Sequence, residues 1–115
     1  MIQLRVNDWP ACVRWYGDVL GLKTLMIDEQ GGFALMEAGG AKLAIKARPS
    51  AEPIVASDSS IVFEVDDLEG ERHRLKRLGV EIGTIIENPA EGFRECRFAD
   101  PGGNAVTIFA WNRPV

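Results

Sequence analysis

The side chains able to do chemistry are few and far apart. His73 is the single histidine in 115 residues. Motifs built on several histidines are therefore excluded, and any histidine-assisted nucleophile would have to use this residue. His73 falls five residues after Leu68, roughly 140° around a helix from the apolar stripe, and reads as a solvated surface residue. Cys12 and Cys96 stand in no CxxC pattern. They read as reduced, inert thiols of a cytoplasmic protein rather than a disulfide framework or a zinc site. No GxGxxG or GxxxxGK[ST] occurs, so no phosphate-cradling loop is expected. What remains is a set of polar and aromatic residues in strand-like runs: Gln3, Arg5, Lys46, Glu64, Thr107, Phe109 and Trp111. Aromatics of this kind stack on a planar ligand, and charges orient it.

Composition narrows the partners. Thirteen Lys and Arg against 17 Asp and Glu give a net charge of −4, which is no footprint for nucleic acid. Hydrophobic residues make up 46% and charged residues 26%, the mix of one folded domain over 1–115. No apolar run approaches the ~20 residues of a membrane span, and the opening MIQLRVND lacks the features of a signal peptide.

The elements that must hold these residues come in two rounds. Residues 2–6 alternate as a strand. Asp8 is placed to cap a helix with Pro10 in its first turn, and Trp9, Cys12, Val13, Tyr16, Val19 and Leu20 recur at helical spacing. Gly21 stops that helix, and strands follow at 23–28, 33–38 and 42–48, punctuated by Gly31-Gly32 and Gly39-Gly40. The stretch 49–59 reads as a connector. A strand at 60–65 then leads to a second helix, capped by Asp67, striped by Leu68, Arg72, Leu75 and Leu78, and ended by Gly79. Strands at 80–87, 93–99 and 104–111 complete the second round. The plan is therefore α+β, with a βαβββ module at 1–48 and another at 60–115. Residues repeat as well as elements: Arg5-Val6-Asn7-Asp8 matches Glu64-Val65-Asp66-Asp67, and Gly39–Ile45 matches Gly102–Ile108.

Three pieces carry a family resemblance: Trp15-Tyr16 followed by Leu20-Gly21-Leu22, Val65-Asp66-Asp67-Leu68, and Arg94-Glu95 followed by Asp100-Pro101-Gly102-Gly103-Asn104. On these the chain resembles the vicinal oxygen chelate superfamily of glyoxalases, bleomycin-resistance proteins, fosfomycin-resistance enzymes and extradiol dioxygenases. It is most similar to bleomycin-resistance proteins. The resemblance implies two tandem modules whose mixed sheets curve into a cup around a ligand. The last piece is also a good hairpin turn on propensity alone. Metal-dependent members carry His or Glu at four places, which fall here on Met1, Ala44, Ser60 and Thr107. None offers the N/O donors of such a site, so no metal or other cofactor is expected.

Alternation assigns the cup wall. Gln3 and Arg5, Lys42 and Lys46, Val62 and Glu64, and Thr107, Phe109 and Trp111 are expected inward, opposite a core of Leu4, Val6, Leu43, Ile45, Ile61, Phe63, Val65, Val106, Ile108 and Ala110. Arg5 and Glu64 either pair with each other or meet a polar ligand. In glyoxalase I the position of Arg5 holds an arginine that binds a substrate carboxylate. Trp15 either packs in the monomer or sits at an interface. An open curved sheet exposes edges and apolar surface, so a homodimer is expected, closing ligand grooves near its two-fold axis. The resemblance implies a metal-free protein that sequesters a small molecule, as in antibiotic resistance. The alternative is a lyase, isomerase or dioxygenase with unusual metal ligands or with Glu64 as base.

Overall fold

A computed structural model describes residues 1–48 and 60–112. The connector expected at 49–59 lies outside them. The chain divides into two compact units, Met1–Ala56 and Ser57–Val115, and both build the same motif.

In the first unit, β1 (Ile2–Val6) leads into α1 (Trp9–Asp18), followed by β2 (Lys23–Asp28), β3 (Phe33–Ala38) and β4 (Ala41–Ala47). The sheet order is β1-β4-β3-β2, with β1 parallel to β4 and the other pairs antiparallel. Asp8 caps α1 by accepting the Ala11 N–H at 3.3 Å. The helix ends at Asp18, short of the expected Val19 and Leu20. Gly21, at φ +74°, turns the chain so that the Leu22 N–H reaches the Tyr16 carbonyl, as left-handed helix ends do. Trp9, Cys12, Val13 and Tyr16 are buried on one helix face, and Val6, Ala34, Met36, Leu43 and Ile45 on the sheet. The Trp9 indole donates to the Ile45 carbonyl at 2.8 Å, fixing the helix start over β4.

The second unit repeats this with β5 (Ser60–Glu64), α2 (Leu68–Arg77), β6 (Ile86–Asn88), β7 (Phe93–Ala99) and β8 (Ala105–Trp111), in the order β5-β8-β7-β6. Asp67 caps α2 through the Gly70 N–H. Glu69 and Glu71 in the first turn and Arg74, Lys76 and Arg77 in the last oppose the helix dipole favourably. Leu68 and Leu75 are fully buried, but Leu78 is 52% exposed. The helix has ended at Arg77, so Leu78 no longer follows the stripe.

The strand expected at 80–87 shrinks to Ile86–Asn88. The Val80 N–H closes onto Leu75 at the helix end. The Gly83 N–H bonds the Arg97 carbonyl, while the Gly83 carbonyl accepts from Arg72 Nε. These contacts go to different elements and leave no continuous ladder. The Asp100–Asn104 segment is a turn. Asp100 Oδ1 accepts the Asn104 N–H at 2.8 Å, and Gly103 takes φ +85°.

Candidate functional site

Each sheet buries one face under its helix, as alternation requires; the other, open face exposes Gln3, Arg5, Lys46, Val62, Glu64 and Trp111, with Ala44, Glu95 and Thr107 buried between them. The residues expected in the cup wall lie on the open faces. In the first unit Arg5 pairs with Lys46, and Lys46 with Phe33, along one rung. Gln3 pairs with Ala44 and Ala44 with Leu35 on another. Gln3, Arg5 and Lys46 are all exposed.

In the second unit the corresponding rung runs Glu64, Phe109, Glu95. Beside it, Val62, Thr107 and Arg97 form one row, and Trp111 and Phe93 begin the next. The structure thus brings Glu64, Thr107, Phe109 and Trp111 together on one face. The Trp111 indole donates to Glu64 Oε1 at 3.1 Å. Phe109 and Trp111 meet edge to face at 5.3 Å between centroids, and Phe93 meets each of them at 5.9 Å. Such contacts hold ring faces in fixed directions.

Three residues of this face escape the sequence reading: Phe93, Glu95 and Arg97. The alternation of β7 could have found them, since apolar Cys96 and Phe98 point to the helix side and force Glu95 and Arg97 to the other. Glu95 is buried, with its side chain 12% exposed, and Arg97 stands at 68%. Arg97 donates to Glu95 Oε1 from Nε at 2.8 Å and from the terminal nitrogen at 2.6 Å. Ser60, Val62, Glu95, Arg97, Ala105 and Thr107 border a recess of ≈ 330 Å³. On the helix side, Arg94 bonds Glu69. This holds the Glu69 carboxyl below the usual carboxylate range.

The four places where metal-dependent relatives carry donors do not fit a divalent cation. Ala44 has a methyl group, Met1 a thioether, and Ser60 and Thr107 neutral hydroxyls, poor ligands for such an ion. Among the described residues no three His, Cys, Asp or Glu side chains converge to hold one. His73 is exposed. Cys12 and Cys96 are both buried and unbridged, and burial pushes the Cys96 thiol up from its ordinary value, which keeps it protonated and unreactive. Trp15 is half-buried and packs edge to face on Tyr16. No helix among the described residues is long and apolar enough to cross a membrane.

Comparison with known proteins gives consistent matches. Residues 1–108 match the family model of the Glyoxalase/Bleomycin resistance protein/Dioxygenase superfamily. The uncharacterized protein YraH of Bacillus subtilis is 26% identical, and the match covers 94% of each chain. A lactoylglutathione lyase from Agrobacterium tumefaciens superposes with a TM-score of 0.77 at 19% identity, over 96% of this chain and 92% of that one. The fosfomycin resistance protein FosX from Listeria monocytogenes gives 0.77 at 18% identity, over 95% and 88%.

Proposed function

The chain belongs to the Glyoxalase/Bleomycin resistance protein/Dioxygenase superfamily, and from that premise we propose that it binds and sequesters a small molecule as a metal-free homodimer. The observation that carries the reading is the open face of the second unit. There an exposed indole, fixed by Glu64, stands with Phe93 and Phe109 in a rigid aromatic cluster. Phe109 stands one rung along the same face from Thr107, one of the positions that hold metal donors in the catalytic members. Aromatic surface bordered by a few fixed polar groups is the usual construction of a ligand site. On the same unit's face Thr107, itself buried, borders the recess with Ser60, Glu95 and Arg97; Gln3, Arg5 and Lys46 offer polar groups on the first unit's own open face.

Among the solved structures this fold matches, one is named as a lyase and one as a resistance protein. The donor-poor positions favour binding, as in resistance by sequestration, over metal-assisted turnover. Two buried, unbridged cysteines favour a reducing compartment, the cytoplasm. A second copy would cover the exposed apolar edge strand β2, where Leu25, Met26 and Ile27 face solvent.

Thermal-shift screening of a small-molecule library, with elemental analysis of the purified protein, tests the reading. Ligands should raise the melting temperature and should do so less in Trp111→Leu. Stoichiometric Ni, Zn, Fe or Mn, with stability lost to EDTA, would overturn the metal-free part. Light scattering that gives the mass of one 12.6 kDa chain at every concentration would overturn the dimer.

A further inference from the structure

We infer that the aromatic corner of the second unit binds the alkylated ammonium group of an organic cation. The inference rests on the reading that this open face is a ligand site, and it names the ligand chemistry.

Phe93, Phe109 and Trp111 meet pairwise at interplanar angles of 77°, 82° and 87°, so the three ring planes stand nearly perpendicular to one another. Trp111 is 57% exposed, and Phe93 and Phe109 are half-buried. Ring faces carry negative potential and attract a cation within about 6 Å of a centroid, best when water is partly excluded. A quaternary or tertiary ammonium suits such faces better than a primary amine. Its methyl groups make dispersion contact, and it has few or no N–H groups to leave unsatisfied.

Charge on the same face points the same way. Glu64 and Glu95 flank Phe109 on a single rung. Glu95 is neutralised by Arg97, whereas the hydrogen bond that Glu64 makes among the described residues comes from a neutral indole. Among the described residues, then, the rim of the corner has a carboxylate with no cation bonded to it, set by Trp111 at the edge of the ring it would help. Arg97, a cation that could repel such a ligand, lies on the adjacent row beside Thr107 and is tied to Glu95; Arg94, which lines a recess with Trp111, is bonded to Glu69. An anionic ligand would be repelled by Glu64 at this corner, and a neutral one would gain no charge–charge attraction from it.

Choline and its uncharged carbon isostere 3,3-dimethylbutan-1-ol have nearly the same shape, so they separate charge from apolar contact. The Trp111 indole N–H, identified in a nitrogen-15 NMR spectrum by its loss in Trp111→Phe, reports the corner directly. Choline should shift this resonance and bind at least about fivefold more tightly than the isostere. Glu64→Gln should remove most of that preference. Trp111→Leu, followed by line broadening of the choline methyl protons, should abolish binding while the other amide resonances stay in place. Equal affinity for choline and the isostere would overturn the cation inference and leave the face as a ligand site. No response of the indole to either probe, or to aromatic compounds that raise the melting temperature, would overturn both.

Discussion

Replacing Arg97 with methionine should cost more stability than replacing Glu95 with glutamine, although both changes break the same ion pair. The two partners meet at 2.6 Å but sit in different surroundings. Glu95 is 12% exposed and Arg97 68%, and Glu95 shares its rung with Phe109 and Ile86. Removing the guanidinium leaves a mostly buried carboxylate that borders the recess. A buried acceptor that loses its partner costs about 1–3 kcal/mol, and the recess places this one in the lower part of that range. Removing the carboxylate leaves a guanidinium already in water, and exposed pairs contribute roughly 0–1 kcal/mol. The difference between the two variants is then about 1 kcal/mol, with Arg97→Met the worse. Urea denaturation at pH 7, followed by circular dichroism, would show it as a lower midpoint at unchanged slope. Adding Glu95→Gln to Arg97→Met should restore part of the loss, because the buried group is then neutral. Equal losses for the two single variants, or a double variant no better than Arg97→Met, would refute the reasoning.

Leu75 is fully buried and Leu78 is exposed, so Leu75→Ala should cost about 2–4 kcal/mol and Leu78→Ala under about 0.5 kcal/mol, both read from urea midpoints. Gly103 holds φ +85°, and a methyl group in place of its Cα hydrogen would meet only open space. Gly103→Ala should therefore lose about 1 kcal/mol from backbone strain alone, seen as a lower melting temperature. Burial raises the Cys96 pKa, so the folded chain keeps a proton that the unfolded chain releases above its ordinary value near ~8.5. That contribution to stability is whole below this pH and falls as pH rises beyond it; Cys96→Ala should flatten the decline in denaturation curves between neutral and alkaline pH. Thiol titration under denaturing conditions should count both Cys12 and Cys96.

What the sequence makes legible follows from periodicity. The two helices, their Asp8 and Asp67 caps and the paired βαβββ plan rest on signals a few residues long, and the structure places them where those signals stand. The alternation in β1, β4, β5 and β8 assigns faces correctly because large apolar residues mark the helix side. The misses come where a tertiary contact replaces local preference. Residues 80–85 are apolar enough to suggest a strand, but Arg72 and Arg97 pin Gly83 individually. Leu78 keeps the helical spacing and loses the burial because the helix stops one residue before it. Phe93, Glu95 and Arg97 were hidden by reading Arg94-Glu95 as part of a motif, when the neighbouring pair points to opposite faces.

The duplicated scaffold also explains how one fold carries two kinds of surface. Arg5 and Glu64 hold equivalent rungs, as do Lys46 and Phe109. The rung that reads Arg5, Lys46, Phe33 in the first unit reads Glu64, Phe109, Glu95 in the second. The helix-facing rungs stay apolar in both, because burial under α1 and α2 fixes them. The exposed positions of the open rungs bear no such constraint, and one rung is basic while the other pairs acids with an aromatic. Substitution at the exposed positions of an open rung, such as Arg5, Lys46 and Glu64, leaves the core untouched and so changes the surface chemistry at little cost in stability. Ala44 and Thr107, buried in the central strands, lack that freedom and are fixed by their neighbours. If no cation binds at these donor-poor places, the aromatic corner, whose Phe109 stands one rung from Thr107, is the feature with the most to offer a ligand.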